Sequence, residues 1–388
     1  MYMKILVVAH NSYLDGGANR SLLMVLDLLK EKYNVESVVL VPKSTGPLVD
    51  ELNARKIDWI QCSYYGCTSN IRGDKYDILR LGRITVGYLI ECVQGFKMAK
   101  KLKNSHFDLV YTNTRVISVG AKIAKHLQIP HVCHVREFGS VRPLWGFWGY
   151  KSLYNYSDKI ILISNALQKK FLEYVKPDKL VTIHNGINSD INLNVDFNKD
   201  DEIINLLLTG RIDPEKGQFD ALNALKILKK EGYENIKLHI AGSESNTAHI
   251  SWYKESIQKF IEENNLENDV VLHGEVKDMY NLRKEMHIEL MCAKCETFGR
   301  VTVEGMRNGL CMIGSNTGGT PEIITDGKTG LLYEQGNCTD LAEKLKKVID
   351  DKDYRTKLAE CGYEFAQTHF TPETNIVQIY NVLKECVK

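Results

Sequence analysis

The chain has 388 residues, 44% hydrophobic and 26% charged, with eight prolines and no low-complexity tract, which is the composition of a globular protein with room for two ordinary domains. Net charge is +1, yet residues 1–190 carry 26 Lys and Arg against 16 Asp and Glu, while residues 191–388 carry 24 against 33. No run of 18 apolar residues occurs, which excludes a membrane-spanning helix, and ten cysteines without a secretory leader point to a reducing compartment rather than a disulfide framework.

Residues 1–10 hold an apolar run too short for a signal peptide, and they read as a first buried strand over 4–9. A glycine-containing loop (10–18) leads to a helix over 19–33, where Leu22, Leu23, Leu26 and Leu29 recur at three-to-four spacing. Strands are expected at 35–41, 109–112, 131–135 and 159–163. Segment 189–202 is polar, holds five acidic residues and has neither period, so it reads as an interdomain linker. The second half then repeats the plan: strand 203–209, loop 210–217, helix 218–232, and strands 237–241, 270–273, 288–291 and 311–314. Such alternation predicts two parallel sheets with helices on both faces, and ligands bind at the carboxyl ends of such strands.

Two stretches in the second half carry chemistry. Seven residues separate Glu296 from Glu304, and Phe298-Gly299 follows the first. A helix over 299–308, ended by Asn308-Gly309, sets the carboxylates roughly 8 Å apart along its axis. Carboxylates accept hydrogen bonds from sugar hydroxyls, and that spacing suits two hydroxyl-bearing rings joined by a diphosphate. Alone, such a pair is more often simply solvated. Beside it, Gly318-Gly319-Thr320-Pro321-Glu322 offers a glycine turn, a Thr N-cap and a proline at the first helical position, an expected anion site. The other stretch is Gly210-Arg211-Ile212-Asp213-Pro214-Glu215-Lys216-Gly217. The Arg211 fork and the compact Lys216 charge can neutralise a diphosphate leaving group, as a divalent metal does in other transferases. No P-loop G-K-[S/T] and no G-x-G-x-x-G occurs, which weighs against a nicotinamide cofactor. Cys292 and Cys295 form one C-x-x-C without a second pair at zinc spacing. No metal and no cofactor is expected.

Residues 210–217, the Glu296-x7-Glu304 pair with Phe298-Gly299, and residues 318–322 together resemble the retaining GT-B glycosyltransferases of family four, the group that builds bacterial capsule, lipopolysaccharide and related glycans. The similarity spans essentially the whole chain, and residues 365–370 with Thr371-Pro372 look like that family's crossing back to the first domain. The resemblance implies an α/β GT-B fold, two Rossmann-like domains facing across a cleft: 1–188 plus 368–388 on the acceptor side, and 189–367 binding the nucleotide sugar. It implies that Arg211 and Lys216 bind the donor diphosphate, that Gly17 approaches the same phosphates by backbone, and that Glu296 holds donor-sugar hydroxyls with help from the Phe298 and Gly299 amides; Gly16, Gly210 and Gly319 are further donor-binding candidates. Glu304 would bind the ribose, and Val276 would sit near the nucleobase. His134 occupies the place of a functional histidine near the donor sugar; the other reading is a strand cap. Arg136, Glu137, Asn185 and Ser164 are further candidates, each readable equally as a turn or a cap. Met291-Cys292-Ala293-Lys294, where proline-serine is frequent, and Asn19, where an acidic residue is, depart from the family pattern without removing a required charge.

The implied activity is retaining, metal-independent transfer from a nucleotide-diphosphate sugar, UDP-sugars first and GDP-mannose next, to a glycan or lipid-linked acceptor. Rival readings are a nucleotide-sugar epimerase, separated by testing for transfer to an added acceptor, and a non-catalytic nucleotide-sugar binder, against which the intact Arg211, Lys216, Glu296 and Glu304 set argues. Leu89, Ile90, Val93, Phe96 and Met98 mix with Lys97, Lys100, Lys101 and Lys103, while Trp145, Phe147, Trp148 and Tyr150 sit beside Arg142 and Lys151. Both segments fit a membrane interface, although the first reads rather as a core helix with a solvated basic face. Nucleic acid is not expected, because no reading module accompanies the positive charge. The expected location is cytoplasmic, peripheral at the inner membrane face.

Overall fold

The computed structural model describes residues 2–14, 17–65, 77–138, 154–173, 175–188, 195–199, 202–243 and 251–387. The chain folds as two compact units, Met1–Gly186 with Pro372–Lys388, and Ile187–Thr371.

Unit 1 holds seven strands: β1 Met3–Val8, β2 Val35–Val41, β3 Asp58–Gln61, β4 Leu109–Thr112, β5 His131–Val135, β6 Lys159–Leu162 and β7 Leu180–Thr182. Every pairing is parallel, in the order β3-β2-β1-β4-β5-β6-β7. The two-residue period of a strand explains the two cores. Ile5 and Val7 face Leu22 and Leu26 of the Gly17–Tyr33 helix and Ile376 and Ile379 of the Pro372–Val387 helix. Leu6 and Val8 face Met98 and Leu102 of the Asp77–Leu102 helix and Ile123 of the Val119–Leu127 helix. Tyr33 stacks on Tyr380 at 3.8 Å between ring centroids, pinning the last helix to the first.

Unit 2 holds β8 Ile204–Thr209, β9 Ile236–Ala241, β10 Val270–Gly274, β11 Ile288–Met291, β12 Cys311–Ser315 and β13 Leu331–Tyr333, all parallel, in the order β10-β9-β8-β11-β12-β13. Leu206 and Leu208 bury against Leu222 and Leu225 of the Gln218–Lys230 helix.

The strands that periodicity does not reveal are β3, β7 and β13, short elements at sheet edges. The linker reading needs correcting. Residues 195–199 pack onto unit 2: Phe197 meets Tyr363 edge-on at 5.7 Å, and a Cβ on Gly309 would lie 2.1 Å from Val195. Lys199 bonds the Met286 carbonyl, and burial lowers its pKa to about 8. Two apolar side chains anchor a segment whose composition reads as solvated.

Candidate functional site

In unit 2 the chemistry-bearing residues lie in loops that leave the carboxyl ends of β8, β10, β11 and β12, the edge where open parallel sheets bind ligands. After β8, Asp213 caps a single turn at Pro214–Lys216 by accepting from the Glu215 N–H at 2.9 Å. Gly217 then adopts φ +71°, where an added Cβ would lie 2.0 Å from the Cys292 carbonyl oxygen. Only glycine fits both demands, and Lys216 is thereby fixed beside the loop that follows β11. Its Nζ lies 2.7 Å from Glu296 Oε2. Arg211, on the same loop, is exposed, and among the described residues its guanidinium has no hydrogen bond or ion pair. A Cβ on Gly210 would reach only ordinary contact with the Lys216 side chain, at 3.5 Å.

Glu296 is held by backbone. Gly319 donates its N–H to the Glu296 carbonyl at 2.7 Å, and a Cβ on Gly318 would sit 2.2 Å from that oxygen. Phe298 is buried against Phe370 at 5.6 Å, so its ring belongs to the core and only its main chain is available to a ligand. Gly299, at φ +104°, caps the Arg300–Arg307 helix, which ends at Asn308 as the sequence predicts, with Glu304 its fifth residue. Val276 is half-buried in the loop after β10.

The Thr320 N-cap reading is corrected. Gly319 is the cap, and Thr320 opens a one-turn helix, Thr320–Ile323, with its Oγ1 buried and unpartnered among the described residues. Four residues sum few peptide dipoles, so the anion site expected there loses its main support.

Glu304 is braced by two residues that the motif reading missed. Arg283 Nη2 reaches Glu304 Oε2 at 3.3 Å, and Arg300 Nη2 reaches Oε1 at 3.4 Å. Arg283 also forks onto Glu289 of β11, at 2.9 and 3.1 Å. The signal was present: Glu289 is a lone charge in an otherwise apolar strand, and such a residue needs a partner.

Unit 1 carries its candidates in β5 and in the segments that follow its strands. His134 lies inside β5 and is wholly buried, which corrects the strand-cap alternative. Its Nδ1 bonds the Tyr111 hydroxyl and lies 3.4 Å from Arg136 Nη2. A guanidinium can only donate, so Nδ1 accepts and the neutral ring carries its proton on Nε2. That Nε2 is buried with no partner among the described residues. Burial, then Arg136, drives the His134 pKa well below its usual value, so the ring offers a neutral N–H rather than a proton. Arg136 also donates to Asn113 at 2.8 Å and to Asn185 at 2.6 Å, and Glu137 accepts from the Thr114 hydroxyl at 2.8 Å. Ser164 accepts from the Leu167 N–H at 3.1 Å, a helix cap. Gly17 is the exposed first residue of its helix, and Asn19 pins the loop before it by donating to the Tyr13 carbonyl at 2.7 Å. Gly16 and the Trp145–Lys151 aromatic cluster, Arg142 included, lie outside the described residues.

The profile described as Glycosyltransferase Family 4 matches residues 15–191, and that of Glycosyl transferases group 1 matches residues 191–365. The chain belongs to the family-four glycosyltransferases. It is 28% identical to the capsular polysaccharide biosynthesis glycosyltransferase CapM of Staphylococcus aureus, over 58% of this chain and 62% of that one. It is 24% identical, over 68% and 71% of the two chains, to an alpha-1,4-N-acetyl-D-galactosaminyltransferase of Campylobacter jejuni named for a saccharide on PP-undecaprenol. The fold is GT-B. Anabaena HepE, solved in complex with UDP, superposes over 99% of this family-four chain and 100% of its own, with a TM-score of 0.81 at 21% identity.

Proposed function

We propose that this glycosyltransferase moves a sugar, with retention, from a nucleotide-diphosphate sugar to a glycan or lipid-linked acceptor in cell-surface polysaccharide synthesis, with UDP-sugars preferred over GDP-mannose. The observation that carries the reading is the Lys216–Glu296 pair, a cation and a carboxylate fixed by glycine backbone at the carboxyl edge of the second sheet. The names of the capsular and undecaprenol-linked relatives support the pathway and the acceptor class, and the UDP bound to HepE supports the base.

In this reading the bond between the sugar anomeric carbon and the phosphate oxygen breaks with both electrons leaving on the diphosphate. Arg211 and Lys216 neutralise it, with no divalent ion required. The acceptor oxygen bonds the anomeric carbon from the face just vacated and passes its proton to a phosphate oxygen. Glu296 holds sugar hydroxyls, Glu304 the ribose, the Gly210 and Gly319 main chains line the path of the diphosphate, and Val276 stands near the base. No carboxylate is assigned as a covalent nucleophile. A thermal-shift panel of nucleotide sugars without metal, followed by transfer to an added lipid-linked saccharide, tests the reading. A shift with UDP-sugars and a new glycosidic product is expected; interconversion of free donor without transfer would make it an epimerase.

A peripheral place on the cytoplasmic membrane face is the second part of the proposal. Among the described residues no helix is long and apolar enough to cross a membrane. The Asp77–Leu102 helix nevertheless exposes Ile78, Leu79, Val86, Leu89, Val93 and Phe96, each 52% to 78% exposed. Arg83, Lys97, Lys100 and Lys101 are exposed beside them, whereas Met98 turns into the core and Glu91 is buried. An apolar stripe flanked by cations matches an anionic lipid surface. Leu89→Glu with Val93→Glu should cut co-sedimentation with phosphatidylglycerol vesicles severalfold and leave phosphatidylcholine controls unchanged. Equal sedimentation of variant and wild type would remove this part.

A further inference from the structure

Glu289 and Arg283 form a pair whose position stability alone does not explain. Glu289 is fully buried among the apolar residues of β11, and Arg283 is 3% exposed. Apolar residues of similar volume usually serve a core at least as well as a buried ion pair does. The pair does fix one guanidinium beneath the Arg300–Arg307 helix. Room for it is made by Gly305, next to Glu304, where a Cβ would lie 2.5 Å from Glu289 Oε2 and 2.6 Å from Met312 Sδ. Arg283 bonds one oxygen of Glu304 and Arg300 the other. A carboxylate has about four acceptor positions, so one remains open on each oxygen. Two parallel acceptors at a set spacing match the vicinal 2′- and 3′-hydroxyls of a ribose.

We propose that Arg283, anchored by Glu289, is a positioning residue that holds the Glu304 carboxylate square to the donor ribose, and so sets the preference for ribonucleotides over 2′-deoxyribonucleotides. This rests on the reading of Glu304 as the ribose ligand. An unbraced glutamate on a helix surface samples several rotamers, and ordering it would be charged against ligand affinity. Arg300, part-exposed and one turn along the same helix, holds only one side of the carboxylate.

The test is calorimetric titration of wild-type and variant proteins with UDP and 2′-deoxy-UDP, or with the guanosine pair if GDP is the nucleotide that shifts the wild-type melting midpoint. Arg283→Met alone would leave the Glu289 charge unpaired in the core, so the informative variant is Arg283→Met with Glu289→Leu. Wild type should favour the ribonucleotide by about tenfold or more, the worth of a hydrogen bond to a charged group. In the double variant, folded by its melting midpoint, the ratio should fall toward one, chiefly through weaker UDP binding. Arg283→Lys should not restore the ratio, because one ammonium cannot fork onto Glu289 while reaching Glu304. A purely structural brace would weaken both nucleotides equally and leave the ratio intact; that result overturns the proposal. Glu304→Gln separates the two layers. If its ratio stays at the wild-type value, the ribose reading itself fails; if its ratio collapses while the double variant's does not, only the bracing role fails.

Discussion

Lys216→Ala is expected to lower kcat by about 10²–10³-fold, the loss measured when one preorganised donor to a developing anion is removed. The size follows from how the side chain is held. The Pro214–Lys216 turn, the Asp213 cap and Gly217 fix the backbone, and Glu296 holds the ammonium, so little ordering remains when the diphosphate departs. An ammonium has three N–H groups, and among the described residues one meets Glu296, which leaves donors for phosphate oxygens. Removing this partly exposed pair should change stability little, so the melting midpoint stays near that of wild type and the loss appears in rate. Arg211→Ala should cost less, because Arg211 is exposed, unpaired among the described residues and must be ordered by the donor. Lys216→Arg should not restore full rate, since a planar fork does not occupy the place of a point charge. Steady-state kinetics with matched melting curves decides. An unchanged kcat in Lys216→Ala would remove the leaving-group assignment.

The second large effect is acid lability of unit 1. Burial lowers the His131 pKa to about 3, and burial, then Arg136, holds His134 well below 6.5. His131 stays neutral between the Thr112 and Ser157 hydroxyls, at 2.8 and 2.9 Å. Both rings remain uncharged in the folded state while the unfolded chain takes up protons below about pH 6.5, so stability present above that pH is lost as pH falls. His131 contributes about 1.4 kcal/mol per pH unit, or roughly 2 kcal/mol at pH 5, and His134 adds to the loss in the same direction. Glu91 acts oppositely. Burial outweighs Lys122 and Ser118 and raises its pKa to about 6, so protonation relieves the folded state between about pH 6 and 4.5. That offsets about 1 kcal/mol, less than His131 alone loses, so unit 1 is destabilised between pH 7 and 5. Calorimetry should show one transition moving down with acid, and His131→Gln should reduce the slope. A pH-independent midpoint across this range would contradict the buried, neutral histidines.

The inner strands were legible because a strand covered on both faces must be a short apolar run. The predicted 35–41, 109–112, 131–135 and 288–291 coincide with β2, β4, β5 and β11. Edge strands carry no such demand: β3 and β7 left no period to read, although the edge strand β10 did. In the site, the Arg211–Lys216 loop and the glutamate pair were legible because their spacing is local. The Lys216–Glu296 contact spans 80 residues and the Arg283–Glu304 contact 21, so only the fold brings them together. The His134 tautomer was not legible either, since it depends on the fold turning the Arg136 guanidinium back onto Nδ1. Thr320 misled because Thr before Pro reads as a cap, whereas the packing of Gly319 on Thr297 and Phe298 starts the turn one residue earlier.

Sugar transfer assayed after exhaustive chelation, then with magnesium or manganese restored, bears most directly on how the departing diphosphate is neutralised. Side-chain cations in that role predict that chelated enzyme keeps its rate and that Lys216→Ala loses it with or without metal. Transfer that vanished on chelation and returned only with a divalent ion would contradict the account.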